Sequence, residues 1–152
     1  MSYGKRLTWL KEQRTSIVLF DMDGTLTEPR SSLEKGLVPL LEDLSDISDI
    51  GVVTGSDFEY LKQQISFLMD KSKIRYKLHL LPCNGTKYYS PPTTATENHR
   101  LISEMDMLEH MGQERFRSLM TAILEVQEHI SKLRIPLTGH FVDYRGSMIN
   151  WC

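Results

Sequence analysis

Three short apolar runs recur along the first half of the chain, and each of them ends at a polar turn. They span residues 17–20, 50–53 and 78–81 and are rich in leucine and β-branched side chains. Runs of this length without alternation predict strands that are buried on both faces, as in a parallel sheet. Segments with helical periodicity separate them. The order β-α-β-α-β therefore predicts an α/β fold with right-handed crossovers.

Two amphipathic helices are predicted between these strands. Ser31 with Glu34, and Ser56 with Glu59, have the spacing of a capping box, which marks a helix N-terminus. Apolar residues follow each box at the period of an α-helix. The predicted inward-facing stripes consist of Leu33, Leu37, Leu40, Leu41 and Leu44 in the first helix and Phe58, Leu61, Ile65 and Leu68 in the second.

A proline-rich segment follows the third strand and a predicted hairpin arm at residues 86–89. Residues 90–94 read Ser-Pro-Pro-Thr-Thr, a composition typical of a stiff linker. We therefore expect one domain over residues 1–90 and a second over residues 91–152.

The second half of the chain predicts a long helix and a hairpin. Apolar residues from Phe116 to Leu133 recur at helical spacing, and Pro136 is expected to end the helix. This stripe favours packing on a sheet over a dimer seam. Alternation over residues 139–144, followed by a Gly-Ser turn and a second short run, predicts a β-hairpin.

Composition narrows the class of protein without identifying it. The chain has 152 residues, 40% of them hydrophobic and 25% charged, with a formal charge of −2. This balance gives no electrostatic case for nucleic acid or an anionic membrane as a partner. Cys83 and Cys152 lack CxxC spacing, which favours free thiols in a reducing compartment. Since no signal peptide or membrane span is evident, a soluble cytoplasmic protein is expected.

Two carboxylates follow the first predicted strand directly. Asp21 and Asp23 precede Gly24 and Thr25, at the end of a strand where α/β proteins place their ligand sites. One carboxylate could act as a nucleophile while the other transfers protons. A plain turn is the alternative, because Asp and Gly favour turns. A calcium loop does not fit, because Thr25 occupies the third ligand position and Gly24 comes too early.

The second strand ends in a turn of similar character. Thr54, Gly55 and Ser56 lead into a predicted helix, whose unpaired N–H groups and dipole suit a phosphate. An ordinary N-cap explains the same residues equally well. The neighbouring Asp-x-Asp turn favours the anion-binding interpretation.

Several segments resemble one enzyme family. The stretch from Leu19 to Arg30 resembles the first motif of the haloacid-dehalogenase-like phosphotransferases, and more narrowly that of the eukaryotic-type phosphomannomutases. The similarity continues at residues 49–59 and 82–85 and returns at residues 141–150. It therefore covers most of the chain from residue 17 onward.

This resemblance implies a fold, a reaction and a set of site residues. The fold would be a Rossmann-like parallel-sheet core, incomplete in this sequence, followed by part of an α+β cap domain. The reaction would interconvert mannose 6-phosphate and mannose 1-phosphate through an aspartyl phosphate and feed GDP-mannose synthesis. Asp21 would be the nucleophile and Asp23 the general acid/base, with Mg²⁺ held by the Asp21 carboxylate and the Asp23 carbonyl. The resemblance further implies that substrate is bound by Arg30, Thr54, Gly55, Ser56 and Arg145.

The implied partners are a hexose phosphate and a hexose bisphosphate, with a possible homodimer through the cap. The physical demands agree with these residue types, because phosphoryl transfer relies on a metal, amide donors and arginine forks.

Departures from the family pattern keep two other functions open. Thr54 stands where the mutases usually have Gly, which makes a sugar-phosphate phosphatase an alternative. The resemblance also implies a returning core segment beyond Cys152 with further metal ligands. We therefore expect an N-terminal part of a longer enzyme, or a degenerate form that only binds sugar phosphates. Without that segment, the first strand is expected to be an exposed edge.

Overall fold

A computed structural model describes residues 17–133 and 138–151 of the chain. Five strands form one sheet in the order β1-β2-β3-β4-β5, with β1, β2 and β3 parallel and β4 antiparallel to β3. The predicted α/β class with a parallel sheet is confirmed. The strands are β1 Ile17–Asp21, β2 Asp49–Val53, β3 Leu78–Leu81, β4 Lys87–Ser90 and β5 Arg100–Glu104.

Two helices accompany the parallel strands. Helix α1 spans Val38–Ser45 and follows a 3₁₀ turn at Lys35–Leu37, and helix α2 spans Phe58–Asp70. Further 3₁₀ turns lie at Lys73–Lys77 and Cys83–Gly85. The sheet and both helices share a core whose apolar members are Met22, Leu26, Val38, Leu41, Ile50, Val52, Leu61, Ile65, Leu68, Met69, Ile74, Leu78 and Leu80.

Of the two predictions made for the first strand, burial on both faces is wrong and the exposed edge is confirmed. We expected β1 to be buried on both faces, but Leu19 is 55% exposed, and β1 is an edge of the sheet that the structure describes. β2 has β1 on one side and β3 on the other, so Ile50 and Val52 are fully buried. The exposed edge expected for β1 is thus confirmed within the described residues.

Both predicted capping boxes are wrong. The 3₁₀ turn before α1 has Glu34 as its N-cap, with no side-chain hydrogen bond, and α1 itself begins only at Val38. Helix α2 is capped one residue later than predicted, because the Asp57 carboxylate accepts a hydrogen bond of 2.8 Å from the Tyr60 amide. Asp and Ser are comparable N-caps, so the choice between neighbours depends on backbone geometry.

The first compact unit of the chain ends at Ser103, and a second runs from Glu104. The expected boundary after residue 90 rested on the Ser-Pro-Pro segment, whereas this division falls at Glu104, the last residue of β5. β5 was not predicted, because its five residues are all exposed and carry no pattern of burial.

The second unit contains two helices and a hairpin. Helix α3 spans Met107–Met111, α4 spans Gln113–Ser131, and the antiparallel pair is β6 Val142–Tyr144 with β7 Ile149–Trp151. The predicted long helix and hairpin are therefore confirmed. Pro136, the expected helix stop, lies outside the described residues. No helix within the described ranges is long and apolar enough to cross a membrane.

Candidate functional site at the carboxyl ends of β1 and β2

The strand register brings three polar turns to one edge of the sheet. β1 and β2 pair Asp21 with Val53, and β2 and β3 pair Val53 with Leu81. The first turn (residues 21–27), the second turn (54–57) and the third turn (82–85) therefore leave the sheet side by side. Neighbouring strands lie about 4.8 Å apart, so groups on these turns can act on one ligand.

The first turn is tightly closed around the carbonyl of Met22. That oxygen accepts hydrogen bonds from the amides of Leu26 at 3.0 Å and Thr27 at 2.9 Å. Gly24 has a φ of 80°, a left-handed conformation that glycine adopts without strain. The Met22 side chain is fully buried, while Asp21 is exposed and Asp23 is partly exposed. The turn thus anchors an apolar side chain inward and leaves two carboxylates accessible.

Asp21 is oriented by a neighbouring hydroxyl. The Thr25 hydroxyl donates to Asp21 Oδ2 over 3.2 Å. A carboxylate has about four lone-pair positions, so this single bond leaves it able to attack a substrate or bind a cation. The geometry suits the nucleophile that the sequence predicts at this position.

Asp23 is held more firmly, by two donors on the same oxygen. Its Oδ1 accepts from the side-chain amide of Gln64 at 3.2 Å and from the backbone amide of Arg30 at 3.3 Å. Gln64 was not predicted as a functional residue. The sequence feature that could have identified Gln64 is its position inside the apolar stripe of α2, between Leu61 and Ile65. A side-chain amide that is buried there needs a hydrogen-bond partner.

The second and third turns are linked by backbone hydrogen bonds. The Thr54 carbonyl accepts from the Asn84 amide at 2.8 Å, and the Ser56 carbonyl accepts from the Cys83 amide at 2.9 Å. A Cβ atom on Gly55 would lie 3.3 Å from Asn84 Oδ1. Because that approach is tight, glycine allows the two turns to lie in close contact.

Part of the predicted anion site in the second turn is already engaged. The buried Thr54 hydroxyl accepts a 3.1 Å hydrogen bond from the Ser56 amide. Asp57 caps the following helix, so its carboxylate occupies the N-terminus that an anion would approach. A phosphate bound here would have to replace the Thr54 contact or use other donors of the turn.

The two predicted arginines belong to different units of the chain. Arg30 lies in the first unit, is exposed, and has a φ of 60° that presents its amide to Asp23. Arg145 lies in the second unit, after β6, where its Nε donates to Asp143 Oδ2 at 2.8 Å and its amide donates to the Met148 carbonyl. The structure thus groups Asp21, Asp23, the second turn and the Arg30 backbone at one sheet edge.

The carboxylate and carbonyl groups at this edge could bind a metal ion through oxygen atoms, the type of ligand that Mg²⁺ prefers. Across residues 17–133 and 138–151, no group of three or more His, Cys, Asp or Glu side chains is arranged to hold a metal ion. Asp21 and Asp23 therefore fit Mg²⁺ by donor chemistry as a partial ligand set.

Comparison with known proteins identifies related sequences. The family model described as eukaryotic phosphomannomutase matches residues 37–152. A phosphomannomutase of Dendrobium officinale is 32% identical over 135 residues, covering 88% of this chain and 48% of that protein. Human phosphomannomutase 1 is 30% identical over 136 residues, covering 88% of this chain and 47% of that protein. The chain spans about half the length of the curated relatives it matches.

Solved structures with the same fold agree with the predicted architecture. An IMP-nucleotidase of Plasmodium falciparum aligns with a TM-score of 0.65 at 13% identity, covering 94% of this chain and 42% of that chain. A haloacid dehalogenase-like hydrolase of B. subtilis aligns with a TM-score of 0.54 at 16% identity, covering 74% of this chain and 34% of that chain. The Rossmann-like, haloacid-dehalogenase-like fold is confirmed.

Proposed function

Because this chain belongs to the eukaryotic phosphomannomutase family, we propose that it acts as a phosphomannomutase-type isomerase. The reaction interconverts mannose 6-phosphate and mannose 1-phosphate, the latter a precursor for GDP-mannose synthesis. The observation that carries the proposal is the carboxylate pair at the end of β1. Asp21 is accessible there, and Asp23 is fixed by the side chain of Gln64 and the backbone of Arg30.

The proposed chemistry assigns different tasks to the two carboxylates. An Asp21 oxygen attacks a phosphorus of the sugar phosphate (a hexose bisphosphate in the mutase), the bond from that phosphorus to the sugar oxygen breaks, and Asp23 gives a proton to that oxygen. In the second half, another sugar hydroxyl attacks the aspartyl phosphate while Asp23 takes its proton, and the bond from Asp21 to phosphorus breaks. The Thr25 hydroxyl on Asp21 Oδ2 limits rotation of the nucleophile and so favours an in-line approach.

The remaining predicted residues would bind substrate and cation. Arg30 and Arg145 supply guanidinium groups that match the geometry of phosphate oxygens. Gly55 and Ser56 would supply backbone amides, and the Thr54 hydroxyl, which accepts from the Ser56 amide, would donate its own proton to a phosphoryl oxygen. Mg²⁺ bound by the Asp21 carboxylate and the Asp23 carbonyl would neutralise charge on the transferring group.

A sugar-phosphate phosphatase is the second candidate. The observation that favours it is Thr54, a buried hydroxyl at a position where the resemblance leads us to expect glycine in a mutase. A phosphatase transfers the phosphoryl group from Asp21 to water, so both candidates share the first half of the reaction.

The test is an assay with mannose 1-phosphate, a hexose bisphosphate and Mg²⁺. Formation of mannose 6-phosphate supports the mutase, and inorganic phosphate without the isomer supports the phosphatase. Asp21→Asn is expected to lower turnover by at least about 10³-fold, because an amide is a poor nucleophile. Asp46→Asn is the matched control, since Asp46 is an exposed carboxylate paired with Lys73 outside the three turns.

Retained activity in Asp21→Asn would contradict both candidates. Trapping the aspartyl phosphate as its beryllium fluoride analogue gives a second measurement, in which Asp21 and not Asp46 is expected to be modified. A cytoplasmic location and a homodimer through the cap remain predictions, and sedimentation of the purified chain tests the second of these.

A further inference from the structure

Gln64 connects helix α2 to the first turn, 37 to 41 positions earlier in the chain, and to the segment that follows that turn. Its side chain is 5% exposed, and its Nε2 donates to Asp23 Oδ1 at 3.2 Å. Its Oε1 accepts from the hydroxyl of Thr27, itself 5% exposed, at 2.8 Å. Its backbone carbonyl accepts from the Leu33 amide at 3.0 Å. Gln64 thus contacts the first turn and the segment that follows Arg30.

The direction of these hydrogen bonds follows from the chemistry of the partners. Asp23 Oδ1 also accepts from the Arg30 amide, so it acts as an acceptor, and the NH₂ group of Gln64 is the part that faces it. The amide oxygen then faces Thr27, whose hydroxyl can donate to it. Thr27 therefore holds the Gln64 amide in the orientation that serves Asp23.

The helix backbone is distorted at this point. Ile65, the next residue, has φ −116° and ψ 22°, which is not helical, and α2 is kinked there. A helix interrupted at one residue frees its carbonyl groups for other partners, and the Gln64 carbonyl bonds to Leu33. The kink at Ile65 and the side-chain contacts of Gln64 are independent observations on neighbouring residues.

We propose that Gln64 is the positioning residue for Asp23, and that it selects which carboxylate oxygen exchanges the proton. Within the described residues both hydrogen bonds of the Asp23 carboxylate end on Oδ1, and in this proposal Oδ2 is the oxygen that exchanges the proton with the substrate. Helix α2 begins directly after the second turn. Gln64 therefore ties the proton-transferring carboxylate to the same helix that starts at the proposed phosphate-binding residues.

This inference rests on the proposed function, and the leaving group of the substrate tests it. Sugar oxygen needs a proton as its bond to phosphorus breaks, whereas p-nitrophenolate leaves without one. In the first turnover, Gln64→Leu is expected to slow sugar release from mannose 1-phosphate about 10- to 100-fold, with KM changed less than about threefold. Release of p-nitrophenolate from p-nitrophenyl phosphate is expected to change less than about twofold.

Three further variants separate the positioning role from a loss of folding. Gln63→Leu is the matched control, because Gln63 is exposed on the same helix. Thr27→Val removes the hydroxyl that orients Gln64 and should slow sugar release by less than Gln64→Leu does. Thr27→Ser keeps a hydroxyl at this position and should release sugar at the rate of the unchanged chain. Equal slowing of both substrates in Gln64→Leu would overturn the inference, since damage to the fold or to Asp21 affects both.

A measurement independent of turnover uses the side-chain amide protons of Gln64 in ¹⁵N-labelled protein. They are expected to exchange with solvent at least about tenfold faster in Thr27→Val than in the unchanged chain, with those of Gln63 unaffected. Unchanged exchange would overturn the proposed contact. The unchanged chain could transfer phosphate from neither substrate and still show the expected exchange result. In that case the proposed function and the role of Gln64 in proton transfer would both be wrong, and only the hydrogen-bond network around Gln64 would be supported.

Discussion

The two units of the chain contain helices of similar amphipathic character but bury them to different extents. In α2, Leu61, Ile65 and Leu68 are completely buried, whereas no residue of α4 is buried. The first unit offers α2 a sheet of five strands, while the second unit offers α4 a two-stranded hairpin and a five-residue helix. The comparison shows that periodicity determines which face of a helix is apolar, and the partner surface determines how much of that face is removed from water.

Specific contacts join the described elements of the second unit. Phe116 of α4 and Tyr144 of β6 form an edge-to-face ring pair with centroids 5.2 Å apart. The Met107 amide donates to the Gly146 carbonyl at 2.8 Å, joining α3 to the hairpin turn. A two-stranded hairpin is marginally stable alone, so these contacts carry much of the stability of the unit.

Core substitutions provide the largest expected effect. Leu61→Ala is expected to lower the free energy of unfolding of the first unit by about 3 kcal/mol, because it leaves a cavity in a close-packed core. Ile123→Ala in the half-buried stripe of α4 is expected to cost the second unit about 1 kcal/mol. Urea denaturation in a Trp9→Phe background measures both, with far-UV circular dichroism for the whole chain and Trp151 fluorescence for the second unit.

Leu124→Ala is the control for the α4 substitution, because Leu124 is 57% exposed. Equal losses for Leu61→Ala and Ile123→Ala would contradict the contrast between the two units.

Hydrogen exchange of the unmodified chain tests the same contrast without mutation. Amides of β2, which has strands on both sides, are expected to exchange at least about a hundredfold more slowly than amides of β6 and β7. The physical reason is that β2 amides open only with the core, whereas a hairpin opens locally. Similar protection in both sheets would show that the second unit is as stable as the first.

The ring pair of the second unit is expected to have a smaller effect. Tyr144→Leu removes the edge-to-face contact with Phe116 and should lower the stability of the second unit by about 1 kcal/mol. A double-mutant cycle with Phe116→Leu isolates the pair by thermal unfolding followed through Trp151 fluorescence. Additive effects of the two substitutions would mean that the rings contribute only through separate contacts.

The smallest expected effect concerns pH and belongs to the first unit. Burial holds the pKa of His99 below its ordinary value of 6.5. The hydrogen bond between its Nε2 and the Leu78 carbonyl and the nearby Asp70 carboxylate oppose this shift, while Arg75 and His79 add to it. The folded state therefore binds a proton less readily than the unfolded state. The stability that neutral His99 contributes is present above pH 6.5 and is lost as the pH falls through the lowered pKa.

His99→Gln should flatten the decline of the unfolding free energy below pH 6.5, as measured by urea denaturation at a series of pH values. His129→Gln is the matched control, on an exposed position of α4. An unchanged decline in His99→Gln would assign the pH dependence to other groups.

Sequence patterns predicted most of the first unit and the main elements of the second. The three apolar runs are the three parallel strands, and residues 87–90 form the expected hairpin arm on β3. The Asp-x-Asp turn was predicted at the strand end because an apolar run stops there abruptly. β5 and α3 were missed because each has only five residues and shows no regular hydrophobic period in the sequence.

The sequence by itself determined most of the strands and helices and which polar residues follow a strand, because these properties depend on near neighbours with periods of two or 3.6 residues. Only the tertiary structure decided that Asp57 and not Ser56 caps α2, and that Gln64 meets Asp23 across 41 positions of chain. Such contacts form when the helices pack against the sheet, and the spacing of residues within one segment does not indicate which distant residue will be the partner.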